Sequence, residues 1–350
     1  MSLNTWGMPQ YLGSLYKSER MAAIANEISK GDFDLYLLQE LWMESDHNKI
    51  AASISKDFSM TGFRQFSSHL DGYSKCDGVL GPEGCSGLAI VSRYPFKEVE
   101  FNGFSDHGDG AKIFIDGEVL ARKGAGRVRI EPIPNTSIDV FTTHTIADPD
   151  ACHGYNNSFY RRKQIHQLMD CWIPKSNADL VVLGGDFNAT PEKSINSVYE
   201  MVRSKMKNSV EEMYSKMNHW LDDEFTTYGN PSNTFDGGKY KPSMFDYVFW
   251  RINQPEKIHA STSSFKLPLF KTTVLKFGEF HQILNDHFKL KYRTSKCVKN
   301  AYNMNREKRK YDGEAQNDIG KLWLSLFKLE RKTISFSDHE AITSTISICN

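Results

Sequence analysis

Asn4, Glu40, His144, Asp186, Asn188, Asp246, Asp338 and His339 each sit at the edge of an apolar run, and each can bind a hard cation or handle a proton. They offer oxygen and imidazole nitrogen, with no thiolate among them. Such a set suits Mg²⁺, with Mn²⁺ or Ca²⁺ as alternatives, rather than zinc. Two histidines among carboxylates also suit proton transfer and phosphate contact. Taken singly, each residue has a plainer reading: a strand cap for Glu40 or Asp246, a turn former for Asn4, a core histidine for His144. Gly185-Asp186-Phe187-Asn188 is more informative, because an acid and an amide two residues apart face one side as a strand ends. Ser337-Asp338-His339-Glu340 is equally compact.

The elements that must carry these groups follow from apolar periodicity. Arg20 to Lys30 places Met21, Ile24, Ala25 and Ile28 on one helical face, and Gly31 is a good stop. Leu35-Tyr36-Leu37-Leu38 then reads as a buried strand that delivers Glu40. The unit recurs: a helix from Arg161 to Trp172 precedes the strand Leu180-Val181-Val182-Leu183, which delivers Asp186 and Asn188. Ligands in α/β sheets gather at such strand ends. Further strands are expected at Gly87 to Ser92, Gly126 to Glu131, Ile138 to His144, Phe245 to Trp250 and Ala341 to Ile348. Two halves of similar build predict an α/β fold of two face-to-face sheets with helices outside.

The 350 residues are read as one domain, 1–350, with an insertion at about 265–332 that carries the basic run Arg306-Glu307-Lys308-Arg309-Lys310. That run reads either as a solvated excursion or as a patch for anionic lipid or nucleic acid. The formal net charge is zero, which disfavours a polynucleotide substrate. No apolar run reaches the roughly 18–20 residues that span a bilayer, so no transmembrane anchor is expected in this chain. Six cysteines without a CxxC pair argue against a zinc site, and Cys76 and Cys85 could close a Gly-rich loop. Asn135-Thr136-Ser137 and Asn156-Asn157-Ser158 fit the glycosylation rule. Even cysteine number and loop sequons together suggest a secreted or extracellular protein whose signal peptide lies outside this chain; a cytoplasmic one is the alternative.

Leu3-Asn4, Leu38-Gln39-Glu40, Thr143-His144, Gly185-Asp186-Phe187-Asn188, Phe245-Asp246-Tyr247 and Ser337-Asp338-His339, in this order, resemble the markers of the endonuclease/exonuclease/phosphatase superfamily. The resemblance spans nearly the whole chain and implies the deoxyribonuclease-like four-layered α/β/β/α sandwich. Within that superfamily, Asn4-Thr5-Trp6-Gly7-Met8-Pro9, Gln39-Glu40-Leu41-Trp42 and Gly87 to Pro95 are similar to neutral sphingomyelinases. Glu118 and Lys123-Gly124 stand where those enzymes carry an Asp and a Lys-Gly, and Arg161 and Gln164 fit their helix after the His strand. Glu118 in place of Asp, Ile146 in place of a second His, and the long insertion are departures.

The resemblance implies Mg-dependent hydrolysis of sphingomyelin to ceramide and phosphocholine. It makes Glu40, Asn4 and Asp338 the metal group, and His339 the base that activates water. Asp246 would orient His339. Asp186 and Asn188 would position water and phosphate oxygens, His144 would donate to the phosphate, and Lys123 would add positive charge. The implied partner is a membrane-surface phospholipid met by a monomer, with Phe101, Phe104 and Phe114 as candidate docking aromatics. A nuclease of the same fold and a catalytically inactive binding homologue are the rival readings.

Overall fold

The computed structural model describes residues 1–8, 14–66, 85–108, 118, 121–148, 157–214, 226–228, 235, 243–266, 270–277 and 329–349. The chain divides into two compact units, one of Met1–Asp148, Asn157–Lys271 and Ser335–Asn350, the other of Pro149–Asn156 and Thr272–Ile334.

In the first unit, a four-stranded sheet has the order β1 (Ser2–Asn4), β2 (Leu35–Gln39), β4 (Ala89–Ser92), β3 (Ser59–Met60). A six-stranded sheet has the order β5 (Glu98–Gly103), β6 (Gly124–Ile133), β7 (Thr136–His144), β8 (Leu180–Asp186), β10 (Asp246–Ile252), β9 (Lys207–Asn208). Strands β11 (His259–Lys266) and β14 (Thr343–Cys349) form a separate antiparallel pair. In the second unit, β12 (Lys271–Phe277) pairs with β13 (Leu329–Ser335). The expected insertion thus begins within β11 and ends within β13, and its basic run lies outside the described residues.

Alternation sorts each strand into two faces. Tyr36, Leu38, Ala89 and Val91 point outward from the four-stranded sheet and pack on Met21, Ile24 and Ile28 of helix α1 (Lys17–Ser29). Leu37 and Ile90 point the other way and join the core of the six-stranded sheet. Gly184 faces Leu37 so closely that a Cβ there would lie 2.5 Å from Leu37 Cδ1. Helix α3 (Ser158–His166) continues as a π-turn to Trp172 and, with α4 (Val198–Arg203), adds Ile165, Leu168, Tyr199 and Val202 to the same core. Each such side chain taken from water contributes about 1.5–3 kcal/mol. The layers are therefore α/β/β/α, as expected.

The expected elements are present with shifted ends; the helix before β8 starts at Ser158 rather than Arg161. Helix α2 (Glu44–Ser53), β5 and β11 were not anticipated. Glu98-Val99-Glu100-Phe101 of β5 does alternate, whereas α2 and β11 are largely polar and carry little periodic signal.

Candidate active site

Strand register brings three expected residues side by side. β7 runs parallel to β8 with His144 opposite Asp186, and β10 runs antiparallel to β8 with Asp246 opposite Asp186. All three side chains are buried. The chain after β8 turns at Asn188, whose φ of 45° lies in the left-handed region that Asn tolerates. That turn lets the Asn188 amide N–H donate to Asp186 Oδ1 at 2.8 Å and its side chain donate to Thr145 O at 3.0 Å.

The other sheet supplies Asn4 and Glu40 from adjacent parallel strands. Asn4 Nδ2 donates to Glu40 Oε1 at 2.9 Å and to Asp186 Oδ2 at 3.0 Å, so one amide ties the two sheets together at the site. The preceding residue, Gln39, repeats the tie by donating to Thr142 Oγ1 at 3.0 Å. Glu40 has φ 56° and is held by Gly7, whose N–H donates to Glu40 O at 2.9 Å. A Cβ on Gly7 would stand 2.4 Å from that oxygen. Only glycine after Trp6 therefore lets the backbone leaving β1 pass beneath Glu40.

His339 closes the site. Its Nδ1 lies 2.8 Å from Asp246 Oδ2, and its Nε2 lies 3.8 Å from Asp186 Oδ2. Burial lowers its basicity, but the carboxylates of Asp246 and Asp186 reverse the effect and hold it well above the usual imidazole range. Thr227 seats this pair through backbone and side chain: Glu340 N donates to Thr227 O, and Thr227 Oγ1 accepts from Phe245 N and Asp246 N. The Tyr228 ring centroid lies 5.0 Å from that of His339. Thr227 and Tyr228 were missed in the sequence because nothing local to them signals a pairing with residue 339.

His144 behaves oppositely. Burial, then Lys123 and His339, push it well below the usual range, so it is neutral. Lys123 Nζ lies 3.1 Å from His144 Nε2, 3.0 Å from Thr145 O and 2.7 Å from Glu118 Oε2. An ammonium has no acceptor, so His144 Nε2 is the bare nitrogen and Nδ1 carries the proton. Arg161 and Gln164 of α3 bind the main chain of Ile146, two residues after His144.

The profile of the Endonuclease/Exonuclease/phosphatase family matches residues 1–261. The chain belongs to this family. Individual relatives are similar to it at modest identity. It is 27% identical over 197 residues to an inositol phosphosphingolipids phospholipase C of Schizosaccharomyces pombe, covering 55% of this chain and 41% of that protein. It is 27% identical over 201 residues to human sphingomyelin phosphodiesterase 2, with the same coverages of 55% and 41%. The matched region is therefore less than half the length of either relative. Among solved structures, a mutant of Staphylococcus aureus beta toxin with bound magnesium ions superposes with a TM-score of 0.57 at 18% identity, covering 98% of this chain and 97% of that one. Sphingomyelinase C of Streptomyces griseocarneus gives 0.57 at 15% identity, covering 100% and 98%.

The buried acidic groups gathered here fit a divalent metal. Burial and then the neighbouring Asp338 push the Glu40 carboxyl up to about 7, a cost that a bound cation would relieve. Burial likewise raises Asp338, although His339 and Arg20 oppose it. Asp186, Asp246 and His339 form a second buried group with donor atoms within 4.8 Å of one another. In that group, however, His339 Nδ1 and Asp246 Oδ2 already bind each other, which is the arrangement of a histidine–carboxylate pair. Asp246 Oδ1 is buried and has no partner among the described residues.

One further expectation is not met. Phe104 is buried and stacks on Trp172 at 5.2 Å, and Phe101 is half-buried against Phe66 at 6.2 Å, so neither is free to dock on a lipid surface. Phe114 lies outside the described residues, as does Cys76 of the expected Cys76–Cys85 loop; Cys171 is free and exposed. No helix among the described residues is long and apolar enough to cross a membrane.

Proposed function

We propose that this chain hydrolyses sphingomyelin to ceramide and phosphocholine, with His339 activating the attacking water. The observation that carries the reading is the buried His339–Asp246 pair, 2.8 Å apart, facing Asp186 and tied through Asn4 to Glu40. In its neutral form His339 takes a proton from water on Nε2, the water oxygen bonds to phosphorus, and the bond from phosphorus to the ceramide oxygen breaks. That oxygen leaves as the ceramide hydroxyl with a proton from bulk water, and the His339 imidazolium releases its own proton to restore the base. Asp246 accepts from Nδ1–H and stabilises the imidazolium that forms. Glu40 and Asp338, with Asn4 beside them, would hold Mg²⁺, or Mn²⁺ or Ca²⁺. The ion would offset negative charge on a nonbridging phosphate oxygen. Asp186 and Asn188 orient water and phosphate. Lys123 and His144 serve the phosphate as one hydrogen-bonded unit, because each is already bound to the other.

The lipid substrate is favoured by similarity to a phosphosphingolipid phospholipase C and a sphingomyelin phosphodiesterase, and by the zero net charge. Within this reading the protein is a secreted monomer, and residues 265–332 are an insertion in a single enzyme domain that adds affinity for anionic lipid. The test is a head-group release assay on sphingomyelin, phosphatidylcholine and lysolipid vesicles beside plasmid DNA, with Mg²⁺ and with chelator. Phosphocholine release from sphingomyelin that stops on chelation is expected. Plasmid nicking without lipid hydrolysis would assign the same residues to a nuclease. Inertness toward every substrate would favour a binding homologue.

A further inference from the structure

Arg20 is fully buried on α1, where the apolar spacing of the helix calls for nothing charged. A guanidinium taken from water costs several kcal/mol unless its hydrogen bonds are replaced. Here all five N–H groups find acceptors. Nε donates to Leu15 O at 2.8 Å; Nη1 donates to Thr5 O at 2.9 Å and Phe336 O at 2.8 Å; Nη2 donates to Trp6 O at 2.8 Å and to Ser14 Oγ. The Trp6 ring covers its face at 4.7 Å, and the Phe235 ring lies 5.5 Å away.

The identity of those acceptors matters. Thr5 and Trp6 immediately follow Asn4, and the next residue, Gly7, binds the Glu40 carbonyl. Phe336 stands two residues before Asp338 and three before His339. One planar group therefore joins the two backbone segments that deliver Asn4 and Glu40 on one side and Asp338 and His339 on the other. None of the five acceptors is a carboxylate, so the positive charge is not cancelled by contact. Its field reaches Asp338 and Glu40, which are its largest electrostatic partners.

We infer that Arg20 is a positioning residue for the site: its guanidinium sets the spacing between the Asn4–Glu40 rim and the Asp338–His339 rim, and so preorganises the metal group. This rests on the proposed metal-dependent reaction. An aliphatic side chain would pack the same helix face but would leave these carbonyls without the shared donor that joins the two segments. Lysine offers the charge with a single donor centre, which cannot reach both segments in one plane.

The test compares Arg20→Lys and Arg20→Gln with the wild-type protein. Folding is checked by near-UV circular dichroism and melting temperature. Mg²⁺ affinity is measured by titration calorimetry without substrate. Values of kcat and KM are measured on sphingomyelin micelles, with bis(p-nitrophenyl) phosphate as a soluble diester in parallel. For folded variants the expected result is Mg²⁺ binding weakened about 10–100-fold and kcat lowered by a similar factor, as for partners that orient metal ligands. KM for the lipid should not move, and Lys should recover part of what Gln loses. Wild-type Mg²⁺ affinity and kcat in folded variants, even with a lower melting temperature, would overturn the inference. Should both variants fail to fold, Ser14→Ala removes a single acceptor and is expected to weaken Mg²⁺ binding in the same direction; an unchanged titration there would also overturn it. If the wild-type protein hydrolyses neither diester, the proposed reaction fails, while the calorimetry still decides on Arg20.

Discussion

His339 and Glu40 illustrate how one buried pocket shifts titratable groups by different forces. The carboxylates around His339 outweigh burial and raise its basicity in the metal-free protein. Removing the imidazole by His339→Ala should lower kcat by at least about 10²-fold, the usual share of general acid–base catalysis, while circular dichroism stays unchanged. Near-wild-type turnover in that variant would remove His339 from the mechanism. Glu40 is pushed from an ordinary 4.5 to about 7. A carboxyl whose pKa rises on folding takes up a proton as the chain folds, so it favours the folded state most below its unfolded value. In chelator, the melting temperature should therefore fall as pH rises from about 4.5 to about 7. Glu40→Gln should flatten that slope and abolish the stabilisation that Mg²⁺ gives the wild-type protein. An unaltered slope in the variant would mean another group titrates.

At the scale of elements, two features make distinct claims. Gly7→Ala forces a Cβ against Glu40 O, 2.4 Å away in the present backbone. The β1–α1 connection must shift, at a cost of about 1–3 kcal/mol by analogy with overpacking, and Mg²⁺ affinity should drop with it. Calorimetry and denaturant unfolding of the one variant check both. On the six-stranded sheet, Asp139 of β7 binds Arg129 at 2.7 and 2.8 Å, Arg127 at 3.1 Å and Ser176 at 2.6 Å. Burial works to raise this carboxyl, but Arg129, Ser176 and Arg127 prevail and hold it below the ordinary 3.8. A depressed carboxyl stabilises the fold above its unfolded pKa and loses that contribution as pH falls through the folded one. Asp139→Asn should thus cost about 3 kcal/mol at pH 7, the scale for breaking a buried pair. The gap to wild type should close as unfolding is followed below pH 3.8. A gap independent of pH would assign the cost to packing.

For the whole molecule, the proposed reaction requires the protein to reach a lipid surface. Phe101 and Phe104 are occupied in the core, which leaves the basic run 306–310 as the charged feature to which the site assigns no role. Lysine and arginine near an anionic membrane contribute about 1 kcal/mol each. Replacing Arg306, Lys308, Arg309 and Lys310 together with Gln should weaken binding to phosphatidylserine vesicles by orders of magnitude at low salt. Turnover of sphingomyelin in neutral detergent micelles should be unchanged. Equal vesicle binding by the two proteins, measured by co-sedimentation across a salt series, would remove the run from membrane docking.

The strand-end residues were legible because a short apolar run that stops at an acid, amide or histidine is a local pattern: Leu38-Gln39-Glu40, Thr143-His144 and Gly185-Asp186-Phe187-Asn188 each carry it in consecutive residues. Their gathering was legible only through the order of all six motifs. What tertiary structure decided is which groups touch. Asn4 bridges Glu40 and Asp186 across two sheets, Lys123 silences one nitrogen of His144, and Thr227 and Tyr228 seat His339 against Asp246. Arg20 is the clearest case. In the chain it is one charged residue at the start of an amphipathic helix, and solvent is its natural neighbour. Its acceptors lie as far as 316 residues away, and no local pattern encodes a hydrogen bond to a carbonyl that only the folded backbone brings near.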